Sequence, residues 1–241
     1  MISFIRKINS TYVKYILLSV DFVFVIASLM RSRINFPGEE YMLSISADGG
    51  YPEFFQYLKF AAIIVLLGIS AISERSAAIG GWAAIFTILL LDDGLSIHEE
   101  GGAKLAEWFS IPPMFHLRSV DYGEMMIFAT WGIISLVILA LTYRTNRSVV
   151  ARRLFRRLLL SLLGLAVFGG IVDMLHVAVQ SIRDLSESGN NLFDAFEDGG
   201  EMVVISLALA FVYEMTLKVV GERLQSRRRA LNNHPGTKQN I

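Results

Sequence analysis

Cysteine is missing from all 241 residues, which excludes disulfides, iron–sulfur clusters and thiolate zinc sites. A metal bound by this chain must therefore be held through nitrogen and oxygen. Proline is scarce, and its 5 residues (37, 52, 112, 113 and 235) all fall outside the apolar runs, so nothing breaks those runs as helices. No phosphate loop, dinucleotide fingerprint or nucleophile elbow is present, and GIVDMLH carries neither a serine nor a cysteine nucleophile. The basic residues lack interleaved aromatics, which argues against a nucleic-acid partner. Internal repeats are absent, and no cleavable signal is expected: the first apolar stretch, Tyr15 to Met30, contains Asp21 and meets Arg31 and Arg33 without a small-residue cleavage site, and it reads as a first membrane helix.

What the chain has in excess is apolar surface. Hydrophobic residues make up 54% of it and the mean hydropathy is +0.50, more than a soluble domain of this size uses for a core. Crossing a hydrocarbon layer about 30 Å thick takes roughly 20 apolar helical residues. Six runs qualify, at 12–31, 55–73, 77–98, 122–143, 157–180 and 195–217. Each is bounded by helix-breaking or polar residues: Pro37-Gly38, Gly49 to Pro52, Gly101-Gly102, Pro112-Pro113 and the stretch 184–191. Backbone amides in lipid must be satisfied within the segment, so the expected fold is an all-α bundle of six transmembrane helices. The transmembrane domain is expected over 1–224, with a disordered basic tail over 225–241.

The formal charge is zero, yet the signs are segregated. With the N-terminus inside, 16 of the 22 basic residues lie on the cytoplasmic side, leaving Arg31, Arg33, Lys59, Lys104, Arg118 and Arg183 on the other. The positive-inside rule then predicts cytoplasmic N- and C-termini and, for a bacterial chain, residence in the inner membrane. Eighteen of the 22 acids fall on the outer side.

Four predicted helices bring acids or histidines to that same face. Asp92, Asp93, His98 and Glu99 end the third helix, and Glu124 begins the fourth. Asp173 and His176 lie on the fifth, and Asp194, Glu197, Asp198 and Glu201 begin the sixth. At 100° per residue the last group forms one acidic stripe, with Glu201 two turns inside the span. Asp173, His176 and Gln180 share another face. On an ideal helix Asp92, Asp93, Ser96, Glu99 and Glu100 also share a face, while His98 points away and joins them only where Gly94 or the helix end distorts the backbone. His116 reads as a loop residue and His234 as part of the tail. Gly164 and Gly169-Gly170 read as close helix contacts.

Carboxylates in a bundle must be paired, protonated or bound to a cation, and Lys104, Arg118 and Arg183 are too few to balance these. The predicted metal ligands are accordingly Asp92, Asp93, His98, Glu99, Glu124, Asp173, His176, Glu197, Asp198 and Glu201. Oxygen-rich donors with one or two imidazoles suit divalent iron, manganese or zinc. Asp21, at mid-depth in the first helix, is a candidate proton relay, or else a hydrogen-bond partner for a neighbouring helix. LDDGLSIHEEGG at 91–102, with FEDGGEM at 196–202, resembles a pattern in uncharacterised bacterial multi-pass membrane proteins, and the resemblance implies a shared site without naming an activity. Alkaline ceramidases, by contrast, hold zinc with three histidines, two of them on one helix. Here no two of His98, His116 and His176 share a helix at ligand spacing.

Three functions compete on this reading. One is a metal-dependent enzyme, either an oxidoreductase of di-iron type or a zinc hydrolase, acting on a lipid or other hydrophobic substrate. Another is a cation or proton transporter using the same acids. The third is a non-catalytic subunit that docks a membrane partner or a second copy of itself.

Overall fold

The computed structural model describes residues 2–30, 41–144 and 149–232, and among these the regular structure is all helical, without a strand. The helices are α1 (Ile2–Met30), α2 (Tyr51–Glu74), α3 (Ala77–Gly94), α4 (Ile97–Trp108), α5 (Ser119–Tyr143), α6 (Val149–Ala166), α7 (Asp173–Ile182) and α8 (Glu187–Asn232), with a π-helical segment, Val167–Val172, joining α6 to α7. Six helical stretches are long and apolar enough to cross a membrane: Ser10–Met30, Tyr51–Glu74, Ala77–Gly94, Ser119–Tyr143, Ala151–Ile182 and Glu187–Ser226. The chain is thus an all-α protein built to sit in a membrane. Arg31, Arg33, Pro37-Gly38, Arg147, His234 and Lys238 lie outside the described residues.

α8 is the central element. Half of its most apolar window is buried, against 11% for α1 and α5. Its residues Ile205, Ala208 and Val212 share one buried core with Ile63 and Leu67 of α2, Ile79, Trp82 and Phe86 of α3, and Leu154 and Leu158 of α6. Side chains on the outside of the bundle are large and apolar, among them Leu58, Ile72, Leu136, Leu141 and Leu160, each at least 65% exposed. Such a surface is solvated by acyl chains, not water.

Several helix ends differ from expectation. Serine caps α3 at its start, Ser76 Oγ accepting from the Ile79 amide at 3.3 Å, as a helix N-terminus requires. At its other end the helix stops at Gly94 instead of running to 98. Ser96 turns into the left-handed region (φ 46°), and α4 starts afresh at Ile97. The expected common face of Asp92, Ser96 and Glu99 is therefore broken. Gly101-Gly102, expected as a helix break, lies inside α4 at its crossing with α5. A Cβ at Gly123 would overlap the Gly102 carbonyl oxygen, and one at Gly102 would come 2.6 Å from the Glu124 amide nitrogen. The 184–191 stretch is only partly a loop, since α8 begins at Glu187. The expected tail from 225 is helical to Asn232, and 233–241 lie outside the described residues.

One charge is placed differently altogether. Lys59, expected on the outer side, is 1% exposed in the middle of the bundle. Its Nζ meets Asp21 Oδ1 at 2.9 Å and also donates to the Met202 carbonyl at 3.0 Å and to Ser206 Oγ at 3.3 Å. The expected polar partner of Asp21 on a neighbouring helix is thus a lysine.

Candidate functional site

Alternating helix directions bring the start of α2, the end of α3, the starts of α4, α5 and α8, and the α6–α7 junction to one end of the bundle. Between them lies a cavity of about 770 Å³. All ten of the predicted ligands line it: Asp92 and Asp93 from α3, His98 and Glu99 from α4, Glu124 from α5, Asp173 and His176 from α7, and Glu197, Asp198 and Glu201 from α8. Asp48, Glu53 and Asp194 raise the lining to eleven acidic side chains. Arg118 is the one lysine or arginine among the lining residues, and its side chain is 69% exposed and committed to Asp121.

The break after α3 gives His98 its place. Folding back at Ser96 brings His98 Nδ1 to 3.1 Å from Asp92 Oδ2, while Asp92 Oδ1 accepts from Trp131 Nε1 at 2.8 Å. The ring also stacks on Phe128, centroids 5.0 Å apart. An ionised Asp92 only accepts, so Nδ1 carries the proton and Nε2 is left facing Glu99 Oε1 at 3.8 Å. Burial pushes the His98 imidazolium down, but the hydrogen bond to Asp92 and the charges of Asp92, Glu99 and Asp93 outweigh it. The net direction is up from the ordinary 6.5. Distortion at the helix end, the stated condition for His98 to join the acids, is met.

His176 has the same arrangement in other residues. Its Nε2 lies 3.3 Å from Asn190 Oδ1, which also accepts from Gln180 Nε2 at 2.9 Å, so Nε2–H donates. Its Nδ1 then faces Glu197 Oε2 at 3.7 Å and Asp194 Oδ1 at 3.9 Å, and its ring stacks on Phe193 at 4.7 Å. Asp194 is itself steadied by Ser46 Oγ at 3.0 Å. As expected, His176 and Gln180 share a face.

The π-helical segment makes room for the deepest acid. One extra residue per turn shifts the face that follows it, so π segments commonly accompany functional sites. Here Gly169 packs so closely on Glu201 that a Cβ would overlap Oε1. Glu201 Oε2 accepts from Gln56 Nε2 at 3.3 Å. Gln56 is 8% exposed and its Oε1 has no hydrogen-bond partner among the described residues.

Other polar residues separate from the site. Glu100 pairs with Lys104 at 3.1 Å in solvent, and His116 is exposed in the α4–α5 loop. Asp21 is absent from the lining. Residues the sequence reading missed are Glu53, Gln56, Trp131 and Asn190. Glu53, Gln56 and Lys59 recur every third residue in an otherwise apolar helix, a signal that was there to use. Trp131 offers no such signal, because its indole N–H matters only once Asp92 is beside it. Among the described residues no three histidine, aspartate or glutamate side chains stand close enough together to hold a metal ion as placed.

Comparison with curated proteins and with solved structures finds no match to the chain. Its sequence does match one family model over residues 22–215, which takes in the end of α1, all of α2 to α7 and most of α8. By that match the chain belongs to the family described as Domain of unknown function (DUF8692).

Proposed function

We propose that the acidic cavity is a divalent-metal site in a multi-pass membrane protein, and that the protein uses the metal for chemistry on a hydrophobic substrate. In this reading the N- and C-termini are cytoplasmic, the membrane is a bacterial inner membrane, and the cavity opens on the opposite face. The observation that carries it is the pose of the two imidazoles. Each has one ring nitrogen tied to an acceptor, Asp92 or Asn190, and turns the other toward carboxylates at 3.7–3.9 Å. A ring nitrogen facing carboxylate oxygens in this way suits a positive species between them, either the imidazolium's own proton or a bound metal ion. Histidine ligands of metals are oriented through the second nitrogen in this way.

Distances agree with an ion drawing the donors inward. Bond lengths near 2.0–2.2 Å place two neighbouring donors on one ion about 3–3.4 Å apart, so each pair has only about half an ångström to close. Oxygen and nitrogen donors without sulfur suit iron(II), manganese or zinc. A bound ion would supply Lewis acidity. Among the chain's own groups, Glu201 is steadied by Gln56 and Gly169 as a candidate base, and the apolar wall of Leu89, Phe128 and Leu162 suits a hydrophobic reactant.

Cation or proton transport is the rival reading, with Asp21 as its mid-membrane step. Asp21 and Lys59 are engaged with each other at 0% and 1% exposure, which counts against that step. Metal analysis of gently purified protein is the test. Stoichiometric iron, manganese or zinc, lost together with thermal stability on chelation and in Glu201→Gln, supports the site. No metal, and no change in melting on adding any of the three, overturns it. Ion flux in liposomes that disappears in Glu201→Gln would favour transport.

A further inference from the structure

Trp108, Phe109, Met114 and Phe115 are 82%, 61%, 45% and 86% exposed; Trp108 closes α4 and the other three belong to the short connection from α4 to α5. Exposed aromatics on a floppy loop would carry little meaning, but this connection is held in shape. Amides of Phe109, Ser110 and Ile111 bond back to Leu105, Glu107 and Ala106 at 2.9–3.0 Å. The turn at 114–117 is closed by the Leu117 amide on the Met114 carbonyl at 2.9 Å, and that carbonyl also accepts from Tyr122 Oη at 2.7 Å. Ser110, Phe115 and His116 all sit in the left-handed region, with φ of 49°, 49° and 65°. Non-glycine residues enter that region only where the surroundings enforce it. Backbone strain is thus spent on holding a bulky ring outward at the tip of a turn.

We propose that this loop is an interfacial anchor, inserted into the headgroup–acyl boundary of the leaflet at which the acidic cavity opens. Position identifies the occupant as lipid. α5 enters its apolar span at Ser119, immediately after the loop, and its outward Met125, Ile133 and Leu136 continue the same exposed apolar surface. α3 leaves its span at Gly94, so the 12 residues of α4, about 18 Å long, run outside the spans at that same end. Tryptophan and phenylalanine beside exposed Lys104 and Arg118 is the composition of a membrane interface, with rings among the upper acyl chains and cations among the phosphates. Because His98 and Glu99 begin α4 and Arg118 and Glu124 flank the start of α5, the anchor fixes the cavity mouth at headgroup depth.

The absence of cysteine makes the test direct, since a single introduced thiol is labelled uniquely. Full-length Phe115→Cys and Lys104→Cys would each carry a nitroxide in vesicles of phosphatidylcholine and phosphatidylglycerol. The label at 115 is expected to collide more with oxygen than with a water-soluble nickel chelate, and the label at 104 to show the reverse order. Trp108→Cys repeats the measurement at a second site should the first variant fold poorly. Preference for the nickel chelate at both 108 and 115 overturns the proposal. Spin–spin broadening between labels at 115, diluted away by unlabelled protein, would overturn it in favour of a second copy of the chain.

Discussion

Lys59 and Asp21 meet at 2.9 Å in the centre of the bundle, at 1% and 0% exposure, whereas one helical turn away along α2 Gln56 borders a cavity in which eleven acids share a single guanidinium. Both regions keep charge inside a membrane bundle. In the first, each charge has its counter-charge, and the lysine's remaining hydrogen bonds go to Met202 and Ser206. Nothing further is needed beyond a partner for Asp21 Oδ2, which has none among the described residues. In the second, the lining supplies one guanidinium and two imidazoles against eleven acids, and each imidazole turns one ring nitrogen toward carboxylate oxygens. The difference separates charge that closes a structure from charge that, on the proposed function, takes up a cation.

The sharpest way to break the comparison is to unbalance the closed pair. Lys59→Met leaves Asp21 buried and uncompensated, a situation that costs about 3–5 kcal/mol. The variant is expected to lose most of its cooperative melting in detergent, and Lys59→Met with Asp21→Leu is expected to recover much of it. If the double variant melts no higher than the single one, the pair is doing more than closing the bundle.

A second comparison sets two glycines against each other. Gly123→Ala drives a methyl group into the Gly102 carbonyl, backbone against backbone, and overpacking of that kind costs about 1–3 kcal/mol. Gly169→Ala meets only the far end of the Glu201 side chain, which can swing away. Its melting temperature is expected to stay near that of the wild type, while the affinity for added manganese or zinc falls about tenfold, equivalent to about 1.4 kcal/mol. Calorimetric titration checks the second value. Equal losses of stability in both variants would mean that Glu201 is held as rigidly as a helix backbone.

The bundle was legible in the sequence because lipid leaves few choices: six apolar runs without proline become six helices. Convergence of the acids at one end was legible too, since up-and-down packing forces the ends of alternate spans together. The lost features were those decided by single residues or by pairing. Ser96 turns the chain at one left-handed residue and thereby restores His98 to the site, against the ideal-helix projection. The π-helical segment rests on one inserted position that no hydropathy window registers. Counting cations by side assigned Lys59 to the outer group, because a charge count has no way to find Asp21 on another helix. α4 passed for a helix end and a loop, since its 12 residues contain no long apolar run.

The smallest expected effect concerns His98, where the two kinds of region meet, since this histidine lines the open cavity and yet has a matched partner. The groups facing it are Asp92, Glu99 and Asp93, with Phe128 stacked on the ring. Because its folded-state value is raised above the ordinary 6.5, the folded protein holds this proton more tightly than the unfolded chain does. The contribution to stability is therefore complete below about pH 6.5, the unfolded value, and is lost as pH rises through the raised folded value. In chelator, wild type is expected to exceed His98→Gln by about 0.5–1.5 kcal/mol on the acid side, the usual worth of one hydrogen bond, and the gap should narrow above neutrality. Melting curves of the two proteins from pH 5 to pH 9 give the comparison. A gap that widens with pH would mean that the imidazole is held neutral in the fold, and the electrostatic account of this end of the bundle would have to be reversed.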